Sequence, residues 1–104
     1  MNYTGIFLND SHMTWNFGFP LVYPEGVKPG DPAEIKILGR YDDEDVSCWI
    51  CEFNDHYTQP KGTLLHITIE TRNGAKPVMS GLRATQNPDN IVQCIPFKVQ
   101  GQWK

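Results

Sequence analysis

Apolar and polar residues alternate along several stretches of the chain, and a period of two is typical of half-buried β-strands. The clearest alternation runs through residues 63–71, and it recurs in residues 13–19 and 91–99. Residues 46–53 are apolar on both faces, which indicates a central strand or a strand covered by a second layer. With a further short apolar run at residues 3–8, the pattern predicts a β-rich chain.

Residues 32–38 allow two interpretations. Asp31 followed by Pro32 is typical of a helix N-terminus, where a proline costs no hydrogen bond. The apolar residues of the same stretch, however, alternate with polar ones as they do in a strand. We predict a strand over residues 33–41 and keep a helix as the alternative.

The dipeptide Asn73-Gly74 follows the best strand and is the strongest short hairpin signal, since both residues tolerate positive φ. We therefore predict a return strand at residues 75–80. This strand contains Pro77, which places it at the edge of the sheet. Residues 81–90 are predicted to form a loop.

The composition is consistent with many short strands joined by turns. The chain has 104 residues, with nine glycines and eight prolines. This length is typical of one domain. We predict a single all-β domain over residues 1–104, either an antiparallel β-sandwich or a small, partly open β-barrel of about seven strands.

Charge and hydropathy exclude two classes of partner. The net charge of −3 argues against nucleic acid as the main partner. No apolar run approaches the roughly 18 residues of a membrane span. Residues 1–14 lack the basic and apolar pattern of a signal peptide, so we predict a cytoplasmic protein. Its three cysteines are then expected to be free thiols.

Cys48, Cys51 and His56 have the spacing C-x2-C-x4-H, which matches the first three ligands of a zinc knuckle. A structural zinc ion needs four tetrahedral ligands, and the position of the fourth is occupied by Lys61. In a regular strand the two thiols would also point to opposite faces. We predict no metal and no cofactor, with zinc at these three residues as the alternative.

An acidic segment follows the predicted strand at residues 33–41, and it consists of Asp42, Asp43, Glu44 and Asp45. Like charges at this spacing repel one another, so the cluster offers the fold no evident benefit. It could be a solvated loop, a calcium site or a docking site for a basic protein surface. We predict the docking site.

Three aromatic residues fall outside the predicted strands, namely Tyr23, Tyr57 and Trp103. We predict that they are exposed in loops or in the C-terminal tail. Exposed tyrosine and tryptophan are enriched at binding sites, so these three residues are further candidates for partner contact.

No nucleophile, metalloprotease or phosphate-loop motif occurs in the sequence, so we predict that the protein is not an enzyme. The size and charge favour a non-enzymatic protein-binding module, such as a small inhibitor or immunity-type accessory protein of a phage or mobile element. Two alternatives are a β-sandwich that binds carbohydrate or another small ligand, and a structural component of a viral or other assembly. Self-association as a homodimer remains open.

Overall fold

The computed structural model describes residues 2–104, which form six strands, one α-helix and one short 3₁₀ helix. The strands are β1 (Tyr3–Phe7), β2 (His12–Phe17), β3 (Pro32–Asp42), β4 (Val46–Glu52), β5 (His66–Thr71) and β6 (Ile91–Trp103). The helix α1 (Val78–Gln86) and the 3₁₀ helix (Pro88–Asn90) lie between β5 and β6. The strands form a closed antiparallel barrel in the order β1-β2-β5-β4-β3-β6.

The all-β prediction is confirmed, but the architecture is a closed six-stranded barrel rather than a sandwich or a partly open barrel of about seven strands. Residues 32–38 are strand, as favoured, because the inward positions Ala33, Ile35 and Ile37 are buried between more exposed neighbours. The predicted strand at residues 75–80 does not form, which accounts for the smaller strand number.

The chain reverses at Asn73 (φ 55°) and Gly74 (φ 77°) as predicted, but it continues into α1 instead of an edge strand. Pro77 is the N-cap of this helix, a position that needs no backbone donor from the proline. The helix buries the small residues Ser80, Gly81 and Ala84, and it packs against β4 and β5. The predictions of an edge strand and of a loop at residues 81–90 are therefore wrong.

Two apolar clusters explain why β4 is apolar on both faces. Cys51 belongs to the cluster inside the barrel, whereas Cys48 and Ile50 belong to a second cluster beneath α1. The two thiols thus lie on opposite sides of the strand, as their odd separation predicts. All three cysteines are free, and burial raises the pKa of Cys48 to about 11.

Trp103 is the last residue of β6 and is only 1% exposed, so its predicted location in an exposed tail is wrong. Its ring packs edge-to-face against Phe53 at 5.2 Å, Trp15 at 6.4 Å and Tyr23 at 6.2 Å between ring centroids. Tyr23 is itself half-buried by this contact. Trp103 reaches the core because β6 continues beyond the predicted end at residue 99, and Tyr23 packs against this cluster.

The β1–β2 hairpin closes the barrel through two short seams. β2 pairs with β5 only at Met13 and Ile67. β1 pairs with β6 only through Ile6 and Phe7, the last two residues of β1. The β3–β6 ladder is much longer and runs from Pro32 to Tyr41 of β3. Because β2 and β5 are staggered and the hairpin turns at residues 8–11, the edges of β5 and β6 extend past its tip.

A wide bulge interrupts β6. Gln93 pairs with Gly39 and Phe97 pairs with Ile37, so residues 94–96 have no partner on β3. This segment contains Pro96, which cannot donate to a ladder. The bulge pushes Ile95 out of the sheet, where its side chain is 90% exposed.

His66 lies beneath α1, where a Cβ atom at Gly81 would collide with its ring. Its Nδ1 atom is 2.7 Å from the carbonyl oxygen of Leu64, and burial lowers its pKa below the ordinary 6.5. The unfolded chain therefore binds this proton more readily. We expect the free energy of unfolding to decrease as the pH falls through 6.5, until the lower folded-state pKa is reached.

Urea unfolding at several pH values between about 8 and 5 measures this dependence. Burial also lowers the pKa of His12, so that residue contributes in the same direction. The variant His66→Gln should show a flatter pH profile than His12→Gln. Equal profiles for the wild type and His66→Gln would contradict the assignment.

Candidate functional site

The acidic segment is organised around the carboxylate of Asp43. Its Oδ1 atom accepts hydrogen bonds from the backbone N–H groups of Asp45 at 2.7 Å and Val46 at 2.8 Å. Its Oδ2 atom accepts the Tyr41 hydroxyl at 2.8 Å and the Arg83 guanidinium at 3.1 Å. Asp43 therefore connects the β3–β4 loop to α1.

Two of the other carboxylates also have cationic partners. Asp45 pairs with Arg83 at 3.0 Å, and Asp42 pairs with Arg40 at 2.8 Å. The premise that these charges only repel one another is wrong, because arginines compensate three of the four. The docking role predicted for Asp42, Asp43, Glu44 and Asp45 stays a prediction.

The pKa of Asp43 reflects two opposing effects. Burial acts to raise it, but the hydrogen bonds from Asp45, Val46, Tyr41 and Arg83 prevail and lower it. The carboxylate is thus held ionised as a structural group.

The zinc alternative involves residues that the fold separates. Cys48 and Cys51 face different clusters, and His56 lies in an exposed loop with its ring edge-to-face to Trp15 at 5.2 Å. Burial raises the pKa of both thiols, which disfavours the thiolate that a metal requires. Within residues 2–104, no group of three or more His, Cys, Asp or Glu side chains is placed to hold a metal ion.

An apolar groove of about 510 Å³ opens beside the tip of the β1–β2 hairpin. We name it the mouth groove. Its apolar lining is contributed by four strands and the hairpin tip, and consists of Leu8, Ile37, Trp49, Ile67, Ile69, Phe97 and Val99. Three polar residues of the tip form one wall, namely Asn9, Asp10 and Ser11.

Exposed residues extend the groove into a larger surface. The Trp49 ring packs edge-to-face against Phe97 at 6.0 Å, and the Arg40 guanidinium lies over Trp49 at 5.5 Å. Val92 is the β6 partner of Arg40 and is 70% exposed. We name Trp49, Phe97, Ile69, Val92 and Ile95 the mouth surface. Tryptophan and arginine within an exposed apolar patch are typical of protein-binding hot spots.

Sequence reasoning missed this surface, and none of the predicted binding residues lines the mouth groove. The alternating pattern predicted that the apolar residues of the mouth surface lie in the core. Such a pattern does not show whether a neighbouring strand covers these residues. The available signal was Pro96, since a proline inside a strand indicates an edge or a bulge. Of the predicted aromatic residues, only Tyr57 is exposed, in a loop outside the groove.

A second group of aromatic rings lies on the outer face of the hairpin. Tyr3 stacks on Phe7 at 5.6 Å and on Phe17 at 6.1 Å, and His12 stacks on Phe7 at 5.5 Å. The rings cover one another's faces. Cross-strand aromatic pairs of this kind stabilise a hairpin. They explain how β1 and β2 stay paired with each other although the hairpin pairs with β5 and β6 at few residues.

Comparison with known proteins assigns no function to this surface, because the chain matches no protein-family model, no curated protein and no solved structure. In residues 2–104, no helix is long and apolar enough to cross a membrane.

Proposed function

We propose that this chain is a non-enzymatic protein-binding module that contacts its partner through the mouth surface. The observation that carries the proposal is the exposure of Val92, the strand partner of Arg40, beside the Arg40–Trp49 pair, together with the exposure of Ile95 three residues further along β6. Fully burying an aliphatic side chain is worth about 1.5–3 kcal/mol, so a partner that covers these two residues gains substantially. An inhibitor or immunity-type accessory protein in the cytoplasm would use such a surface.

The acidic loop supports a partner with a basic surface. Asp42 is joined to Arg40, which lies over Trp49, so the loop borders the mouth surface. Glu44 is exposed in the same loop. Carboxylates at the rim of an apolar interface accelerate encounter with a basic protein and disfavour acidic ones.

The double variant Val92→Ser/Ile95→Ser tests this function. Both side chains are exposed, so the fold should persist while the apolar contact with the partner is lost. We expect the partner's affinity to fall about tenfold or more. Affinity capture from the native cells with quantitative mass spectrometry identifies candidates, and titration calorimetry measures the affinity of each.

The matched control is Val78→Ser/Leu82→Ser. These exposed residues lie on α1, which packs against the other face of β4. A specific partner must bind this control and the wild type alike. A partner that binds both double variants equally well would show that the mouth surface is not the interface.

The mouth groove favours binding of a small ligand or carbohydrate as a second candidate function. Its volume of about 510 Å³ and its aromatic edge at Trp49 and Phe97 are consistent with a drug-sized molecule. Backbone amide shifts during titration with sugars and small apolar compounds distinguish this candidate. Saturable shifts confined to the groove, without any captured protein, would favour it.

A further inference from the structure

The barrel is incomplete beside the mouth groove, where strand edges are left open. β5 has β4 on one side, but on its other side the pairing with β2 stops at Ile67 within the described chain. β6 is likewise unpaired on the side away from β3 until Gln102 meets Phe7. Open edges present unpaired backbone donors and acceptors, which are a template for another strand.

The two open edges are not equivalent. β6 contains the bulge at residues 94–96 with Pro96, and both features block regular pairing. The free part of β5 extends from Thr68 to Thr71 and contains no proline or glycine. A strand added there would lie about 4.8 Å from β5 and place every second side chain over the groove floor.

The charged groups around the groove favour a cationic occupant. Asp10 lies in the groove wall and forms no ion pair within residues 2–104, whereas Glu70, on the free part of β5, already has an arginine partner. The nearby cations are already engaged, since Arg40 pairs with Asp42 and Arg72 pairs with Glu70, each at 2.8 Å. Basic residues on either side of an apolar segment would be attracted to this rim.

We propose that the mouth groove binds an extended segment of the partner protein, which adds as a strand to β5. The segment carries apolar side chains at alternate positions, directed into the groove, and lysine or arginine at its flanks. This inference rests on the proposed protein-binding function and specifies the partner's chemistry. Pairing of β5 with β5 of a second copy is disfavoured, because it would bring two chains of net charge −3 together.

Selection of short random peptides displayed on phage against the immobilised wild-type protein tests the proposal. We expect the enriched peptides to share apolar residues at every second position and basic flanking residues. Their affinity should fall about tenfold for Ile69→Ser, which removes an apolar groove contact. Hydrogen exchange of the complex should show new protection of the amides in residues 68–71.

The charge requirement has its own matched pair of variants. Asp10→Lys changes the groove wall, whereas Glu25→Lys makes the same charge change at an exposed residue outside the groove. The enriched peptides should bind Asp10→Lys several-fold more weakly and with less salt dependence, and they should bind Glu25→Lys as they bind the wild type.

Peptides with helical spacing, peptides with acidic flanks, a failure to enrich any peptide, or protection only outside residues 68–71 would each overturn the strand-addition proposal. The protein-binding function is judged separately. The protein-binding proposal still holds after such a result if a captured partner no longer binds Val92→Ser/Ile95→Ser but binds Val78→Ser/Leu82→Ser. Sedimentation of the free protein as a dimer that is abolished by Ile69→Ser would assign the β5 edge to a second copy instead.

Discussion

Replacing Trp103 with alanine is expected to lower the free energy of unfolding by about 3–5 kcal/mol, the range for removing a large buried aromatic side chain. Trp103 contacts Phe53, Trp15 and Tyr23, and it also closes the barrel by pairing with Ile6. Truncation would therefore leave a cavity at the closing seam. Urea unfolding followed by far-UV circular dichroism measures the loss.

The control for this variant is Phe19→Ala, because Phe19 is 77% exposed. Its effect should stay within about 0.5 kcal/mol. Should Trp103→Ala fail to fold, Trp103→Phe retains much of the packing and should show an intermediate loss. An effect of Trp103→Phe as small as that of Phe19→Ala would mean that the residue is not part of the core.

Asp43→Ala is expected to destabilise the protein by about 2–3 kcal/mol, because it leaves several hydrogen-bond donors without their acceptor. The affected groups are the backbone N–H groups of Asp45 and Val46, the Tyr41 hydroxyl and one arm of Arg83. The effect is far larger than that of an exposed ion pair, which contributes at most about 1 kcal/mol. Thermal and urea unfolding of the variant measure it.

Glu44→Gln is the matched control, since the side chain of Glu44 is exposed in the same loop. Its stability should equal that of the wild type within about 0.5 kcal/mol. The pH dependence gives a second measurement. The pKa of Asp43 is lowered from 3.8 in the folded protein, so its contribution is present above that pH and is lost as the pH falls through the folded value. If Asp43→Ala were as stable as Glu44→Gln, the loop would be only a solvated turn.

Much of the barrel could be predicted because its strands encode their buried face locally. Ile35 and Ile37 alternate with polar residues, and this outweighed the helix-like start at Asp31 and Pro32. The helix α1 could not be predicted in the same way. Its buried positions Ser80 and Gly81 are small and have poor helix propensity, so the helix depends on packing against β4 and β5.

The candidate site depends even more on contacts that are distant in sequence. Trp49, Ile69 and Phe97 occupy strand positions that indicate a core, and their accessibility follows from the register of a hairpin elsewhere in the chain. The ion pairs of the acidic loop could not be predicted for the same reason. Its charges suggested an external partner, but Arg83, distant in sequence, neutralises two of them.

The seam between β1 and β6 also has a kinetic consequence. It joins residues near opposite ends of the sequence through two residue pairs, one of them Ile6 with Trp103, and through the backbone hydrogen bonds between Gly5 and Lys104. Bringing such distant segments together costs loop-closure entropy before any contact repays it. We therefore expect the meander of β3, β4 and β5 to form early and the seam to close after the rate-limiting step. Substitutions at Trp103 would then accelerate unfolding and leave the folding rate nearly unchanged.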